Sequence, residues 1–472
     1  MSNQATASAH DTHATSAALR QLDGKIPFWK GIPFGIQHVL AMFVANLTPI
    51  AIVAGAAKLP ADQSAWIISS ALLVAGLGTC LQLYPLWRIG GRLPIVTGIS
   101  FTYVAAATII AGDPNLGYGA VVGAVIVGGL IELILGLTAQ YWKRFVSTIV
   151  SAVVVTTIGF SLLSTGATSF GGGSGSKDFG SWQNLTVATI TLVACLAFQL
   201  LAKGVAKQLS VLFGLIVGYI IALIFTFTGI APGMVDFSKF SGLDIVSLPH
   251  IAPLMPFGIK FDINAIVTFA LLYVVSSVEV LGNTSSLTQV GFNREPTERE
   301  TAGAIAGDGL ISTISGFFGA LPLTSFAQNV GLVAMTKVVN RKVILSGGVI
   351  LILASFFPGF AAVFNSLPQA VLGGCTIMMF GSIVLAGIQM IAKAGFTNRN
   401  ITIVTLALTI GIGFTQATGI FQHFPQLFQS VFSNAIAIAF VVALLLSWIL
   451  PDEKHFLADA ADTENDESSD NE

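Results

Sequence analysis

Charge is what this sequence has least of. Asp, Glu, Lys and Arg make up 9% of its 472 residues, against about 25% in a soluble domain. That scarcity excludes an ordinary soluble enzyme or binding module. With 54% hydrophobic residues and a mean hydropathy of +0.83, the chain reads as an all-α polytopic membrane protein, because helices satisfy their own backbone in lipid. Cysteine is scarcer still. Cys80, Cys195 and Cys375 lie inside apolar runs at no ligand or disulfide spacing, and read as small core residues. The chain has no HExxH, no acidic pair at metal spacing and no Cys/His cluster, and His10 and His13 are too isolated to hold an ion. No metal, no cofactor and no intramembrane enzyme is therefore expected. A formal net charge of −2 gives no reason to expect nucleic acid. Residues 1–30 are polar and do not resemble a cleavable signal peptide.

What is abundant is the bilayer-length apolar run, about 20 residues. About fourteen of these follow one another between residues 31 and 450. Basic residues such as Arg88 with Arg92, Lys143 with Arg144 and Lys393 with Arg399 fall in every second connection. Positive charge marks the cytoplasmic side, so an even number of spans with both termini in the cytoplasm of a cell (inner or plasma) membrane is expected. The reading is a disordered cytoplasmic tail over 1–30, a first seven-span repeat over 31–231, an extracytoplasmic loop over 232–261, a second repeat over 262–450, and an acidic, solvated tail over 451–472.

The repeat is visible at two places. Gly91-Arg-Leu93-Pro94-Ile-Val-Thr97-Gly98-Ile99-Ser100-Phe101 is similar to Gly319-Ala-Leu321-Pro322-Leu-Thr-Ser-Phe-Ala-Gln328-Asn329. These are the third and tenth spans, and an offset of seven inverts one copy relative to the other. Each Gly-x-Leu-Pro interrupts its helix. Backbone outside a helix at membrane depth must be buried in protein or line a wet cavity, and paired broken helices are how many carriers build a midplane site. The polar cluster Thr324, Ser325, Gln328 and Asn329 behind Pro322 argues for a site over a simple kink.

Three carboxyls sit inside spans: Glu132 in the fourth, Glu279 in the eighth and Asp308 in the ninth. On the insertion scale Asp at a helix centre costs roughly 2.5–3.5 kcal/mol, so such groups are functional by default. Glu279 and Asn283 are one turn apart on one face, a pairing suited to a planar heterocycle with ring N–H groups. Asp308, between Gly307 and Gly309, could bond the freed backbone of a broken segment or carry a proton. Glu132 has no visible polar partner in the sequence and reads as structural. His38, alone in an apolar stretch, reads as a satisfied core histidine, although histidine is also the near-neutral proton carrier.

Gln328-Asn-Val-Gly331-Leu-Val-Ala-Met-Thr336-Lys337 resembles the signature of the nucleobase–ascorbate transporter family: Gln, Glu or Pro, then Asn-x-Gly, four residues, Thr, and Arg, Lys or Gly. The resemblance extends over 31–450. It implies fourteen spans in two inverted repeats, a core domain (spans 1–4 and 8–11), a gate domain (5–7 and 12–14), broken spans 3 and 10 with short extended segments, and a homodimer. By the same resemblance Ser100, Phe101, Glu279, Asn283, Ala327, Gln328 and Asn329 are expected to bind substrate. His38, Glu279 and Asp308 are expected in proton coupling, and Gly331, Thr336 and Lys337 in the selectivity signature. Bacterial members import uracil, xanthine or uric acid with protons. Glutamine at Gln328 favours an oxidised purine, since uracil carriers tend to place glutamate there. Asn283 departs from the family, whose xanthine and urate carriers usually have aspartate and whose uracil carriers have histidine at that position. The expectation is a proton-coupled purine importer working by alternating access. The alternatives are a uracil permease of the same family or a sulfate/bicarbonate carrier of the same architecture.

Overall fold

The computed structural model describes residues 17–451 apart from 174–175, 241–245, 418, 426–427, 430–431 and 433. Residues 1–16, with His10 and His13, and the acidic tail 452–472 lie outside the described residues. Among the described residues the chain is helical, with one short two-stranded sheet. The first half holds α1 (Phe28–Ala56), α2 (Ala61–Leu83), β1 (Thr97–Ile99), α3 (Val104–Gly112, preceded by a 3-10 turn over Phe101–Tyr103), α4 (Gly117–Leu137), α5 (Thr148–Phe170), α6 (Trp182–Leu201) and α7 (Ser210–Phe227). The second holds α8 (Ile263–Phe292), α9 (Glu298–Phe317), β2 (Leu323–Ser325), α10 (Ala327–Thr336), α11 (Arg341–Ser355), α12 (Pro358–Asn365), α13 (Gln369–Ala394), α14 (Asn398–Gln416) and α15 (Ala435–Ile449).

Among the described residues, eight helices are long and apolar enough to cross a membrane, or nine if α11 and α12, bent by 83°, count as one span. The other expected spans coincide with α3, α9, α10, α14 and α15, which are shorter or more polar. The two Leu-Pro segments do break their helices, and their extended stretches pair. β1 and β2 run antiparallel with Thr97 opposite Ser325, Gly98 opposite Thr324 and Ile99 opposite Leu323. Equivalent segments running in opposite directions are the direct structural mark of an inverted repeat. At the ends of the pairing, Ser100 N donates to Pro322 O and Phe326 N to Val96 O, both at 2.9 Å. The inner edge of each strand is thus paired along the break.

By internal contacts the chain divides into two compact units, residues 1–141 with 162–381, and residues 142–161 with 382–472. This cut passes through α5 and α13 and differs from the expected core-and-gate grouping, which follows whole spans. The smaller unit is held by α14 against α15: Arg399 donates to the carbonyls of Ser447 and Leu450. Trp448 Nε1 donates to Phe145 O at 3.0 Å.

In the larger unit α4 and α9 touch backbone to backbone. A Cβ on Gly129 would strike Thr313, one on Gly136 would strike Ala306, one on Gly309 would strike Leu133, and one on Gly316 would strike Ile126. Small residues spaced seven apart on each helix let the axes close in lipid, where no hydrophobic force pulls them together. This seam places Asp308 and Glu132 at one depth. Gly309→Val is expected to abolish folding, because overpacking costs about 1–3 kcal/mol even where side chains can yield, and the obstacle here is backbone. Monodispersity in detergent by size-exclusion chromatography checks it, and a parental profile would contradict the seam.

Residues 17–26 fall in the stretch expected to be a disordered tail, and the structure corrects that expectation for them. The Asn340 side-chain amide donates towards the carbonyls of Ala18, Gln21 and Gly24 at 2.8–3.2 Å. Val339 N and Arg341 N donate to Leu19 O and Leu22 O at 3.0 and 2.9 Å, and Arg341 pairs with Asp23 at 3.1 Å. Hydrogen bonds to its backbone carbonyls, together with burial of Ile26, hold this segment.

Candidate binding site at the paired broken helices

The site is built where the two half-helices begin. Gly98 lies in β1 because a Cβ there would meet the Phe326 ring and Asn46 Oδ1. Asn46, buried in α1, accepts Ile99 N at 2.7 Å, and Thr79 Oγ1 of α2 accepts Thr97 N at 3.2 Å. On the opposite strand Ser312 Oγ of α9 accepts Leu323 N at 3.0 Å. These three backbone N–H groups in the extended segments thereby find side chains from neighbouring helices, as burial demands.

Asp308 is spent on this bracing. Its Oδ2 accepts Ser325 N at 3.0 Å and its Oδ1 accepts Gln82 Nε2 at 2.8 Å. Gln82 in turn holds Gly91 N through Oε1 at 2.7 Å and also donates to Ala304 O at 2.8 Å. Asn283 donates from Nδ2 to Ser325 O at 2.9 Å and lies 3.2 Å from Ser325 Oγ. Ser325 is therefore fixed from two helices at once. Asn329 is engaged elsewhere: its amide sits 3.0 Å from His38 Nδ1 and 3.1 Å from His38 O, both residues buried. His38 and Asn329 together join α1 to α10.

Glu279 behaves differently. It is half-buried, and Thr102 Oγ1 donates to its Oε2 at 2.8 Å. Among the described residues its second oxygen has no protein donor. Ser100 caps the turn that carries Thr102, its Oγ accepting Thr102 N at 3.2 Å. Phe101 is buried, edge-on to Phe380 with ring centroids 5.4 Å apart. Across the strand pair, α10 starts at Phe326 with no side-chain cap. Ala327 is exposed and Gln328 half-buried. Among the described residues the Gln328 amide has no protein partner. A carboxylate oxygen on one side and an uncapped helix N-terminus with a free amide on the other can accept from ring N–H groups and donate to ring carbonyls.

The end of the signature is architectural. Thr336 Oγ1 donates to Leu332 O at 2.8 Å and accepts Val338 N at 3.3 Å. Lys337 has φ +58°, a conformation glycine adopts without cost, which explains glycine as a family option there. Its Nζ donates to Val290 O at 2.9 Å, tying the end of α10 to the end of α8. Gly331 lines no tight contact, since a Cβ there would meet only Gln208 at 3.8 Å. Sequence reasoning missed Thr102, Gln82, Asn46 and Ser312; the signal that marks two of them is an amide inside an apolar run, at Asn46 and Gln82. A cavity of about 440 Å³ lies apart from this site, at the C-terminal end of α1 and the start of α13, with Ser64, Asp236, Asn365 and Gln369 among its walls.

A model of the family described as "Permease family" (Xan_ur_permease) matches residues 30–420. The chain is 31% identical to the xanthine permease XanQ of Escherichia coli K12 over 454 residues, covering 93% of this chain and 95% of that one. It is 30% identical to the uric acid permease PucJ of Bacillus subtilis 168 over 441 residues, 91% and 95% of the two chains. Among solved structures, the transmembrane domain of the cyanobacterial bicarbonate transporter BicA superposes with a TM-score of 0.56 at 15% identity, over 90% of this chain and 98% of that one. That likeness concerns the fold.

Proposed function

Because this chain belongs to the nucleobase–ascorbate transporter family of permeases, we propose that it imports an oxidised purine, xanthine or uric acid, together with protons across the plasma membrane. The observation that carries this reading is a pair of uncommitted groups beside the paired strands, the second oxygen of Glu279, which is bonded to the turn after β1, and the Gln328 amide in the first turn of α10 after β2. A planar base with alternating N–H and C=O edges satisfies both at once. An inorganic anion would meet the Glu279 carboxylate, so sharing a fold with a bicarbonate transporter does not make this an anion site.

In the cycle so proposed, the base binds between the Phe101 turn and Ala327–Gln328, with Glu279 accepting its ring N–H. Protonation of a site carboxyl removes an intramembrane charge and lets the loaded carrier change its open side. Asp308 and Asn283 act through Ser325, holding β2 in place. His38 with Asn329 fixes α10 against α1. Uptake of radiolabelled xanthine into cells expressing the chain, competed with unlabelled urate, uracil and bicarbonate and repeated with a protonophore, tests the reading. Uptake is expected to be blocked by urate, spared by bicarbonate and lost with the protonophore. Uptake blocked by uracil alone would overturn the use of Gln328 as a purine marker. Uptake indifferent to the protonophore would overturn proton coupling.

A further inference from the structure

Behind the binding site lies a carboxyl that holds no part of the base or of the strand pair. Glu132, in the middle of α4, is wholly buried, and neither of its oxygens has a hydrogen-bond partner. The hydroxyls of Tyr103 and Ser276, also wholly buried, are unpartnered too. These three groups converge. The polar neighbours of Glu132 are Ser276, Ser277, Tyr103, Tyr273 and the carboxyls of Asp308 and Glu279. Among the described residues no basic side chain faces it. Ser277 Oγ is already donated to Tyr273 O at 2.8 Å, and Tyr273 OH to Val125 O at 3.1 Å. Asp308 is committed to Ser325 and Gln82. What remains uncommitted around Glu132 is Tyr103 and Ser276.

Both lead to Glu279. Ser276 lies three residues before Glu279, on the same face of α8. Tyr103 follows Thr102, whose hydroxyl bonds the Glu279 carboxyl. Packing does not account for this arrangement, since a leucine would fill the space of Glu132 and each unpaired buried polar group costs about 1–3 kcal/mol. A hydroxyl, however, can accept one proton while releasing another.

We propose that Glu132 is a second proton-carrying residue of transport, exchanging a proton with Glu279 through the hydroxyls of Ser276 and Tyr103. The inference rests on the proton-coupled reading of Glu279. In the step, the Glu132 carboxylic acid gives its proton to a hydroxyl oxygen as that hydroxyl releases its own proton to the Glu279 carboxylate. The hydroxyl is regenerated, one proton has moved, and no electron is transferred. Glu279 is reprotonated from within the protein, and the reverse transfer restores Glu132.

The test uses the full chain in proteoliposomes with radiolabelled xanthine. Accumulation is measured under an inward gradient of one pH unit, and exchange of labelled for unlabelled xanthine is measured with no gradient. One pH unit is worth about 1.4 kcal/mol, or tenfold, per coupled proton. Glu132→Gln is expected to accumulate about tenfold less than the parent, while gradient-free exchange continues. Glu132→Asp is expected to recover part of the loss, and Tyr103→Phe and Ser276→Ala to shift the pH dependence of accumulation in the direction of Glu132→Gln. Parental accumulation by Glu132→Gln would overturn the proposal. Should that variant fail to fold, parental pH dependence in both hydroxyl variants would overturn it instead. A parent protein that exchanges xanthine but does not accumulate it under the gradient would sink the proton-coupled reading itself, a result distinguishable from failure of Glu132 alone.

Discussion

Glu279→Gln is expected to reach the membrane at parental levels and to transport at least about a hundredfold more slowly, the scale on which a site built around one hydrogen-bonding group responds to its loss. The substitution keeps the size of the side chain, and the amide oxygen can still accept from Thr102 Oγ1, which the carboxylate now does at 2.8 Å. The remaining position then becomes an N–H₂ facing a ring N–H of the base, donor against donor. The amide also cannot release a proton. Binding and coupling fail together, whereas Glu279→Asp retains the charge and loses only reach. Initial uptake rates, normalised to the amount of protein in the membrane, read both variants. Glu279→Gln transport above one tenth of the parental rate would remove Glu279 from the site.

Asp308→Asn is expected to slow transport by about ten- to a hundredfold, in keeping with one unsatisfied buried group at about 1–3 kcal/mol. Asp308 accepts twice, from Ser325 N at 3.0 Å and from Gln82 Nε2 at 2.8 Å. Asparagine can accept only once on that geometry, and its amide would confront the second donor. Gln82 cannot simply turn over, because its oxygen holds Gly91 N at 2.7 Å. The strain falls on Ser325 and so on the start of α10, where the base is proposed to bind. Weaker substrate affinity and a lower melting temperature are expected together. A protein as stable as the parent that has lost only proton-driven accumulation would instead make Asp308 the proton carrier.

Much of the architecture was legible because lipid allows so few solutions. The two Gly-x-Leu-Pro stretches announced broken helices at matching places, and their strands pair antiparallel as inversion requires. Asp308 was readable as a bond to freed backbone, and Ser325 N is that backbone. The partners were harder to see. Gln82 and Asp308 are 226 residues apart, and an amide in an apolar run does not say which helix it will meet. Asn329 stands beside Gln328 in the signature, but a helix turns 100° between neighbours, and the structure gives Asn329 to His38. Composition misled at residues 17–26, whose backbone carbonyls are bonded by backbone and side-chain groups of 339–342, contacts that no hydrophobic pattern records. Glu132 looked inert because its neighbours, Tyr103 and Ser276, come from other segments of the chain.

The pairing of β1 with β2 bears on where such a chain could have come from. Each strand's hydrogen-bonding edge is completed by the other repeat, with Ser100 N reaching Pro322 O and Phe326 N reaching Val96 O. An ancestor made of one half would have carried a bare strand edge at membrane depth, which hydrocarbon does not tolerate. Only a second copy of itself, inserted the opposite way up, could have closed that edge. Duplication and fusion of the gene would then have joined, in one polypeptide, two subunits that already depended on each other.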